Sequence, residues 1–161
     1  MRCRSRQTGF TLIELMVVVA IVAILATLAA PSFTTAIANN RVSTAASEVQ
    51  TLLQFARSEA IYKRSEITLT AASQTWSVKL GNAVLREATL PVQVTVTPGS
   101  DSDQGVSFDP MGTAKLIGGG TPPFGLSFGS TQATRIQCVS VIRSGVVRME
   151  RIPSGSTCSY S

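Results

Sequence analysis

Two hydrophobic patterns divide this chain. From Phe10 to Ala30 the residues are almost all apolar, and Glu14 is the one charged residue in the run. Those 21 residues, coiled as a helix at about 1.5 Å per residue, would span about 30 Å, the thickness of a bilayer core. Pro31 interrupts the run and predicts a kink, because it lacks a backbone donor and its ring crowds the preceding turn. Beyond it the pattern becomes amphipathic. Val42, Ala45, Ala46, Val49, Leu52, Leu53, Ala56 and Ala60 recur at three and four residues, while Arg41, Glu48, Gln50, Gln54 and Arg57 fall elsewhere. This spacing predicts a helix with one buried stripe, running to about Tyr62.

From Glu66 onward the period changes to two. The segments EITLTAA, TWSVKL, PVQVTVT, GVSFD, GLSFG, RIQCVSVIR and GVVRMERI read as seven short strands separated by Gly, Pro, Asn and Ser. LIGGGTPPFG reads as a loop. One long helix followed by a series of strands predicts an α+β fold. The first half of the helix is expected to be transmembrane, and the amphipathic second half to pack on one or two antiparallel sheets.

Charge adds an orientation. Of the formal +5, Arg2, Arg4 and Arg6 supply three, which leaves +2 for everything after Thr8. That balance is not the surplus of a nucleic-acid surface, although a local patch is compatible with it. A basic flank ahead of an apolar span stays cytoplasmic, so the C-terminal part is expected beyond the membrane. In an oxidising compartment Cys138 and Cys158 can pair, closing a loop whose constraint is worth about 3 kcal/mol, with two free thiols as the alternative.

The chemistry-bearing residues argue against an enzyme. The chain has no histidine, which removes the usual hydrolytic triads and most zinc sites. Gly118 to Gly120 lack the Lys-Ser/Thr and following helix of a phosphate loop, and read as a flexible turn. Asp101 and Asp103 are spaced like part of a calcium loop, but the third acid and the distal glutamate are missing. No catalytic residue, metal ligand or cofactor is assigned.

The opening stretch admits a secretory signal peptide, with a cleavage site near LATLAAP, or a plain membrane anchor. Neither accounts for Glu14, since an ionised carboxylate in a bilayer costs about 3 kcal/mol or more unless partnered. Gly9 to Leu15, G-F-T-L-I-E-L, resembles the processing motif of type IV pilins and type II secretion pseudopilins. The resemblance implies cleavage after Gly9 by a prepilin peptidase and N-methylation of Phe10. It also implies pairing of Glu14 with a terminal amine during filament assembly. Residues 1–9 are then a leader that carries away Cys3 and three arginines, residues 10–31 a transmembrane and filament-core helix, and residues 32–161 a periplasmic globular domain.

The stretch FARSEAIYKRSEITL, Trp76, VSFDPMGTA and the ending QCVSVIRSGVVRMERI are similar to the GspH/FimT group of minor pilins and pseudopilins. That likeness implies a pilin-like fold and a low-abundance, single-pass inner-membrane subunit near a filament tip, partnered by other minor and major pilins. It equally admits the corresponding minor pseudopilin of a type II secretion system. Some members of the group bind DNA in natural transformation through a C-terminal Gly-Arg-x-Arg pattern. Here Gly145-Val146-Val147-Arg148 keeps the glycine and the last arginine but has valine for the first. A DNA contact would therefore draw on Arg148 with Arg143 and Arg151, be directed to phosphates, and be weak and sequence-indifferent.

Overall fold

The computed structural model describes residues 10–160, with the backbone alone for residues 28–31. The Gly9 cleavage site and the leader lie outside the described residues, as does the side chain of Pro31. A long helix, α1, runs from Leu12 to Lys63, and nine strands follow: β1 (Ile67–Ala72), β2 (Thr75–Leu80), β3 (Ala83–Thr89), β4 (Thr95–Pro98), β5 (Val106–Phe108), β6 (Ala114–Leu116), β7 (Phe124–Gly129), β8 (Arg135–Val141) and β9 (Val147–Pro153). Contacts divide the chain into two units, one ending at Thr34 and the other beginning at Thr35.

In the first unit α1 starts at a side-chain cap. Leu15 N–H donates to the Thr11 carbonyl at 3.2 Å, which makes Thr11 the N-cap residue. The Thr11 Oγ1 accepts from Glu14 N–H at 3.3 Å. Thr11-x-x-Glu14 is thus the spacing of a capping box, and it sets a carboxylate in the first turn, where the helix dipole favours it. The apolar side chains of this unit are exposed on every side of the helix: Leu12 at 77%, Val18 at 49%, Val22 at 58% and Leu25 at 60%.

The second unit has an ordinary core. All eight residues of the stripe Val42 to Ala60 are buried. They share one core with the inner residues of two antiparallel sheets. One sheet has the order β3-β2-β1-β5-β6 and the other β4-β7-β8-β9. Phe108 from the first sheet, Phe124 and Phe128 from the second, and Leu52 and Leu53 from the helix are among the largest fully buried side chains. The helix ends at Arg64, whose φ of 50 places it in the left-handed region, with Ser65 N–H donating to the Ala60 carbonyl.

The sequence reading of seven strands is corrected to nine. The two additions, β3 and β6, are the edges of the first sheet. β3 has no fully buried residue, only Leu85 and Ala88 pack against the core, and its residues carry no period of two. β6 is only three residues long. The segment read as the loop LIGGGTPPFG loses both ends to strands, since Leu116 closes β6 and Phe124 opens β7. PVQVTVT pairs only from Thr95, because Pro91 to Val94 form a turn in which Val94 N–H donates to the Pro91 carbonyl.

The outer face of the second sheet is covered by the C-terminal tail. Cys138 on β8 is joined to Cys158 by a disulfide with a Cα–Cα distance of 5.7 Å. Two residues on, the Tyr160 ring lies against the backbone of Gly125 and Gly99. A Cβ on Gly125 would stand 2.5 Å from that ring. Gly125 is therefore a strand glycine that makes room for an aromatic ring. Burial raises the Tyr160 phenol above its usual pKa, against a hydrogen bond with Ser127 that acts to lower it.

Candidate functional site

Two regions carry the residues singled out from the sequence. At the N-terminus Phe10 is 77% exposed, and Glu14 is exposed in the first turn of α1. The capping-box spacing is a signal that the sequence held and that a reading centred on the membrane passed over. No single helix among the described residues is long and apolar enough to cross a membrane. Leu12–Thr27 and Ser32–Lys63 meet that test together, by length and composition.

The second region is the β8–β9 hairpin with its turn. β8 and β9 pair antiparallel, with Ser140 opposite Arg148, Gln137 opposite Arg151 and Arg135 opposite Pro153. Because faces alternate along a strand, Arg148 and Arg151 point to opposite sides of β9. Arg148 shares a hollow with Cys138, Ser140 and Ser159, on the tail side. Arg151 shares a cleft with Asn39, Asn40 and Ser43 of the helix. Arg143 is exposed in the turn. The hairpin therefore does not gather Arg143, Arg148 and Arg151 onto one surface. Val146 falls in the turn ahead of β9, beside Gln54 and Ile61 of α1, where strand alternation does not yet apply.

Arg57 holds that turn in place. Its Nε donates to the Gly112 carbonyl at 3.1 Å and an Nη to the Ser144 carbonyl at 3.1 Å. A third bond, Ala114 N–H to the Arg143 carbonyl at 2.9 Å, ties β6 to the same turn. Gly145 sits inside this knot with φ at +76. A Cβ there would stand 1.9 Å from the Gly112 oxygen. The glycine that heads the Gly-x-x-Arg148 stretch thus answers to packing, whatever else it does.

The Gly112 carbonyl is in turn presented by Asp109. One Asp109 carboxylate oxygen accepts from Met111 N–H at 2.9 Å and Thr113 N–H at 3.0 Å, and the other from the Thr113 hydroxyl. The Thr113 hydroxyl bond, then these backbone donors and the nearby Lys115 charge, hold the Asp109 carboxyl below its usual pKa, partly opposed by burial. Sequence reading passed over Arg57 and Asp109. The signal was an arginine close to the buried stripe of a helix, and an Asp-Pro-x-Gly-Thr turn.

Arg135 was also passed over, and it stands with Arg151 in the helix-side cleft. Asp101 and Asp103 line a small exposed hollow with Gln104 and Gly118. Among the described residues no group of three or more metal-ligating side chains comes together.

Comparison with known proteins places these features. The family described as "Type II transport protein GspH" matches residues 45–145, and the "Prokaryotic N-terminal methylation motif" matches residues 4–30. A "Fimbrial protein" of Pseudomonas aeruginosa is 39% identical over 97 residues, which cover 59% of this chain and 62% of that protein. The match thus spans less than two thirds of the relative. A "Type IV major fimbrial protein FimA" of Dichelobacter nodosus is 56% identical over 45 residues, covering 28% of this chain and 29% of that one. Among solved structures, the type IV minor pilin FimU of Pseudomonas aeruginosa superposes with a TM-score of 0.60 at 22% identity, covering 75% of this chain and 95% of its own. The minor pseudopilin EpsH of the Vibrio cholerae Type 2 Secretion System superposes with a TM-score of 0.53 at 14% identity, covering 72% and 99%. These two likenesses show a common fold.

Two outcomes test the turn. Gly145 and Gly155 both have positive φ, but nothing lies within 4 Å of a Cβ on Gly155. Gly155→Ala should cost only the backbone strain, about 1–2 kcal/mol. Gly145→Ala should cost clearly more, read as a lower denaturant midpoint of the full chain in detergent. The second outcome concerns pH. A carboxyl whose folded pKa is depressed contributes stability that is complete above the unfolded value and lost as pH falls through the folded one. Asp109→Asn should therefore be less stable than the parent at about pH 7, and the gap should close below about pH 4. A gap that is unchanged at low pH would remove Asp109 from this role.

Proposed function

The chain belongs to the GspH family, and on that premise we propose that it is a minor type IV pilin that helps to start and assemble a filament. The observation that carries the reading is the first unit: an apolar helix exposed on all sides, led by a methylation motif and bearing one acid. Such a helix is not stable in water and needs lipid or the helices of other subunits around it. In the proposed sequence of events, the N-terminal segment inserts with its basic leader on the cytoplasmic side. A prepilin peptidase cuts after Gly9, and the amine of Phe10 is methylated. The subunit then leaves the inner membrane for the filament, and Glu14 pairs with the terminal amine of a neighbour. Desolvating an acid and a cation is tolerable only together, so the pair selects register as well as partner. The globular unit rides on the outside, near the tip, against other minor subunits.

A second reading is supported by the family description and the pseudopilin likeness: the equivalent minor pseudopilin of a type II secretion system. The chemistry at the N-terminus is the same in both. Loss of surface pili on deletion supports the first, and failed export of a secreted protein with pili intact supports the second. DNA binding by the tail finds little support in the hairpin, where the three arginines are dispersed.

Processing is tested by coexpression with a prepilin peptidase, which should yield a chain that starts at Phe10 with a methylated amine. Gly9→Val should block the cut. A mature N-terminus at Ala30 or Pro31 would indicate a secretory signal instead. Glu14→Val should leave the unit from Thr35 onward folded and lower incorporation into filaments by more than roughly 100-fold, since removing one member of a buried pair costs about 3–5 kcal/mol. Incorporation at the parental level would overturn the pairing role.

A further inference from the structure

The cleft where β8 and β9 meet the helix segment of the second unit carries a charge that the filament reading does not use. It has a volume of about 210 Å³ and is lined by Asn39, Asn40, Ser43, Arg135, Gln137 and Arg151, with two guanidinium groups and no carboxylate. All of these residues belong to the second unit. A space of this size suits an ion or a small charged group better than a large organic ligand. Two arrangements hold its walls. Gln137 is buried at 4% exposure. Turned so that its oxygen accepts from Arg151 Nε at 3.1 Å, its amide donates to the Glu150 carbonyl at 3.3 Å. A buried carboxamide thus steadies an exposed guanidinium and leaves its outer N–H groups to the cleft. Asn39 accepts from Thr134 N–H and donates to the Thr134 hydroxyl, both at 3.1 Å, which ties the helix to the residue before Arg135.

The charges are what the fold leaves unexplained. In the β8–β9 ladder Gln137 stands opposite Arg151, so Arg135 is the diagonal neighbour of Arg151 on the same face. Both arginines also line the adjoining hollow with Thr134, Ile152 and Pro153. Among the described residues neither forms an ion pair with a carboxylate. Two like charges so placed repel each other, and an anion between them is attracted by both. Asn40 and Ser43, three apart on one helix face, add an amide and a hydroxyl that meet no protein partner among the described residues.

Charge and donor supply together identify the anion. A carboxylate or a phosphodiester brings a single negative charge, which leaves one guanidinium uncompensated. A phosphate monoester brings about −1.5 to −2 at pH 7 with three strong acceptor oxygens, and sulfate is a full dianion. Each planar guanidinium fork fits two oxygens of such a group. We propose that the cleft binds a small tetrahedral dianion, a phosphate or sulfate group, held between Arg135 and Arg151 with Asn40 and Ser43 as further donors. The site lies within one unit, so it requires neither the membrane nor the filament of the reading above.

The test follows the arginine Nε–H signals of the full chain in uncharged detergent micelles by NMR. The probes are inorganic sulfate, methyl phosphate, dimethyl phosphate, acetate and a short DNA duplex. Sulfate and methyl phosphate should shift Arg135 and Arg151 saturably and leave Arg143, in the turn at the other end of the hairpin, unmoved. Dimethyl phosphate and acetate should bind at least roughly ten-fold more weakly. Arg135→Gln and Arg151→Gln should each weaken sulfate roughly ten-fold, as the loss of a charge-assisted hydrogen bond implies. The chain has no histidine and the cleft no carboxylate, so within the site only the ligand titrates between about pH 7.5 and about pH 5. Methyl phosphate, with a second pKa of about 6, should therefore bind more weakly at the lower pH, while sulfate binding should stay the same. A monoanion that binds as well as sulfate, or an equal loss of both dianions at low pH, overturns the dianion assignment. Shifts that never saturate, or that both substitutions leave unchanged, overturn the site. Binding of the duplex with no response to sulfate would make this a nucleic-acid surface and overturn the proposal as well.

Discussion

The Arg57 guanidinium joins carbonyls from two different sheets. Gly112 lies between β5 and β6 of the first sheet, and Ser144 lies between β8 and β9 of the second. Apolar packing under the two sheets is non-directional and tolerates small rotations of one against the other. Two hydrogen bonds from one planar group, itself held on a helix that both sheets cover, do not. Charge-assisted bonds of this kind are worth about twice a neutral one, and here they act where each sheet turns. The Asp109 cap fixes the Gly112 acceptor, and Gly145 makes room for that same carbonyl and for the Arg57 Nε. The relation of helix, first sheet and second sheet thus converges on a few polar contacts at the end of α1, while the helix stripe and the sheets' large apolar residues together supply the burial.

This division explains what was legible in the sequence. The stripe from Val42 to Ala60 was readable because a helix face pressed against a core must repeat at 3.6 residues, and each of its positions is buried. Central strands were readable for the same reason with a period of two. β3 and β6 were not, since β3 has no fully buried residue to set an alternation and β6 is only three residues long. Arg57 was placed on the polar side of the helix pattern, and by period alone that is where it belongs. That its charge is spent on two carbonyls more than fifty residues away is a fact of tertiary structure, with no local signature. The basic tail shows the converse: three arginines close in sequence were read as a cluster, but strand alternation separates Arg148 from Arg151, and the partner of Arg151 in its cleft is Arg135, from the preceding strand.

The glycine of the Gly-x-x-Arg148 stretch carries a similar lesson. A partial match to a Gly-Arg-x-Arg pattern draws attention to its charged positions, and Gly145 would be taken as part of that chemistry. The structure supplies a reason that needs no ligand: a positive φ and a carbonyl oxygen where a Cβ would be. A chain that kept this turn for its packing would keep the glycine even where the arginine two positions before Arg148 is replaced by valine. Matching the glycine therefore counts for less than matching the arginines, and the case for a nucleic-acid contact rests on the charges alone.

The same care applies to Glu14, where two physical demands meet on one side chain. In the chain as described, Glu14 occupies the third position of a helix that Thr11 caps, and its charge sits at the positive end of the dipole. On the proposed processing, cleavage after Gly9 would create an ammonium on Phe10, one residue before that cap. A cation there is disfavoured by the dipole by roughly 0.3–1 kcal/mol at an exposed site, and by more out of water. A carboxylate in the first turn offsets it. Glu14 would then compensate the subunit's own end while it waits in the membrane, and exchange that role for a neighbour's amine on assembly. The exchange leaves the number of desolvated charges unchanged, so incorporation need not cross the full cost of exposing a bare ion to hydrocarbon. An apolar residue at this position would ease insertion, but it would leave the subunit's own terminal charge unopposed in the membrane and a neighbour's amine unopposed in the filament.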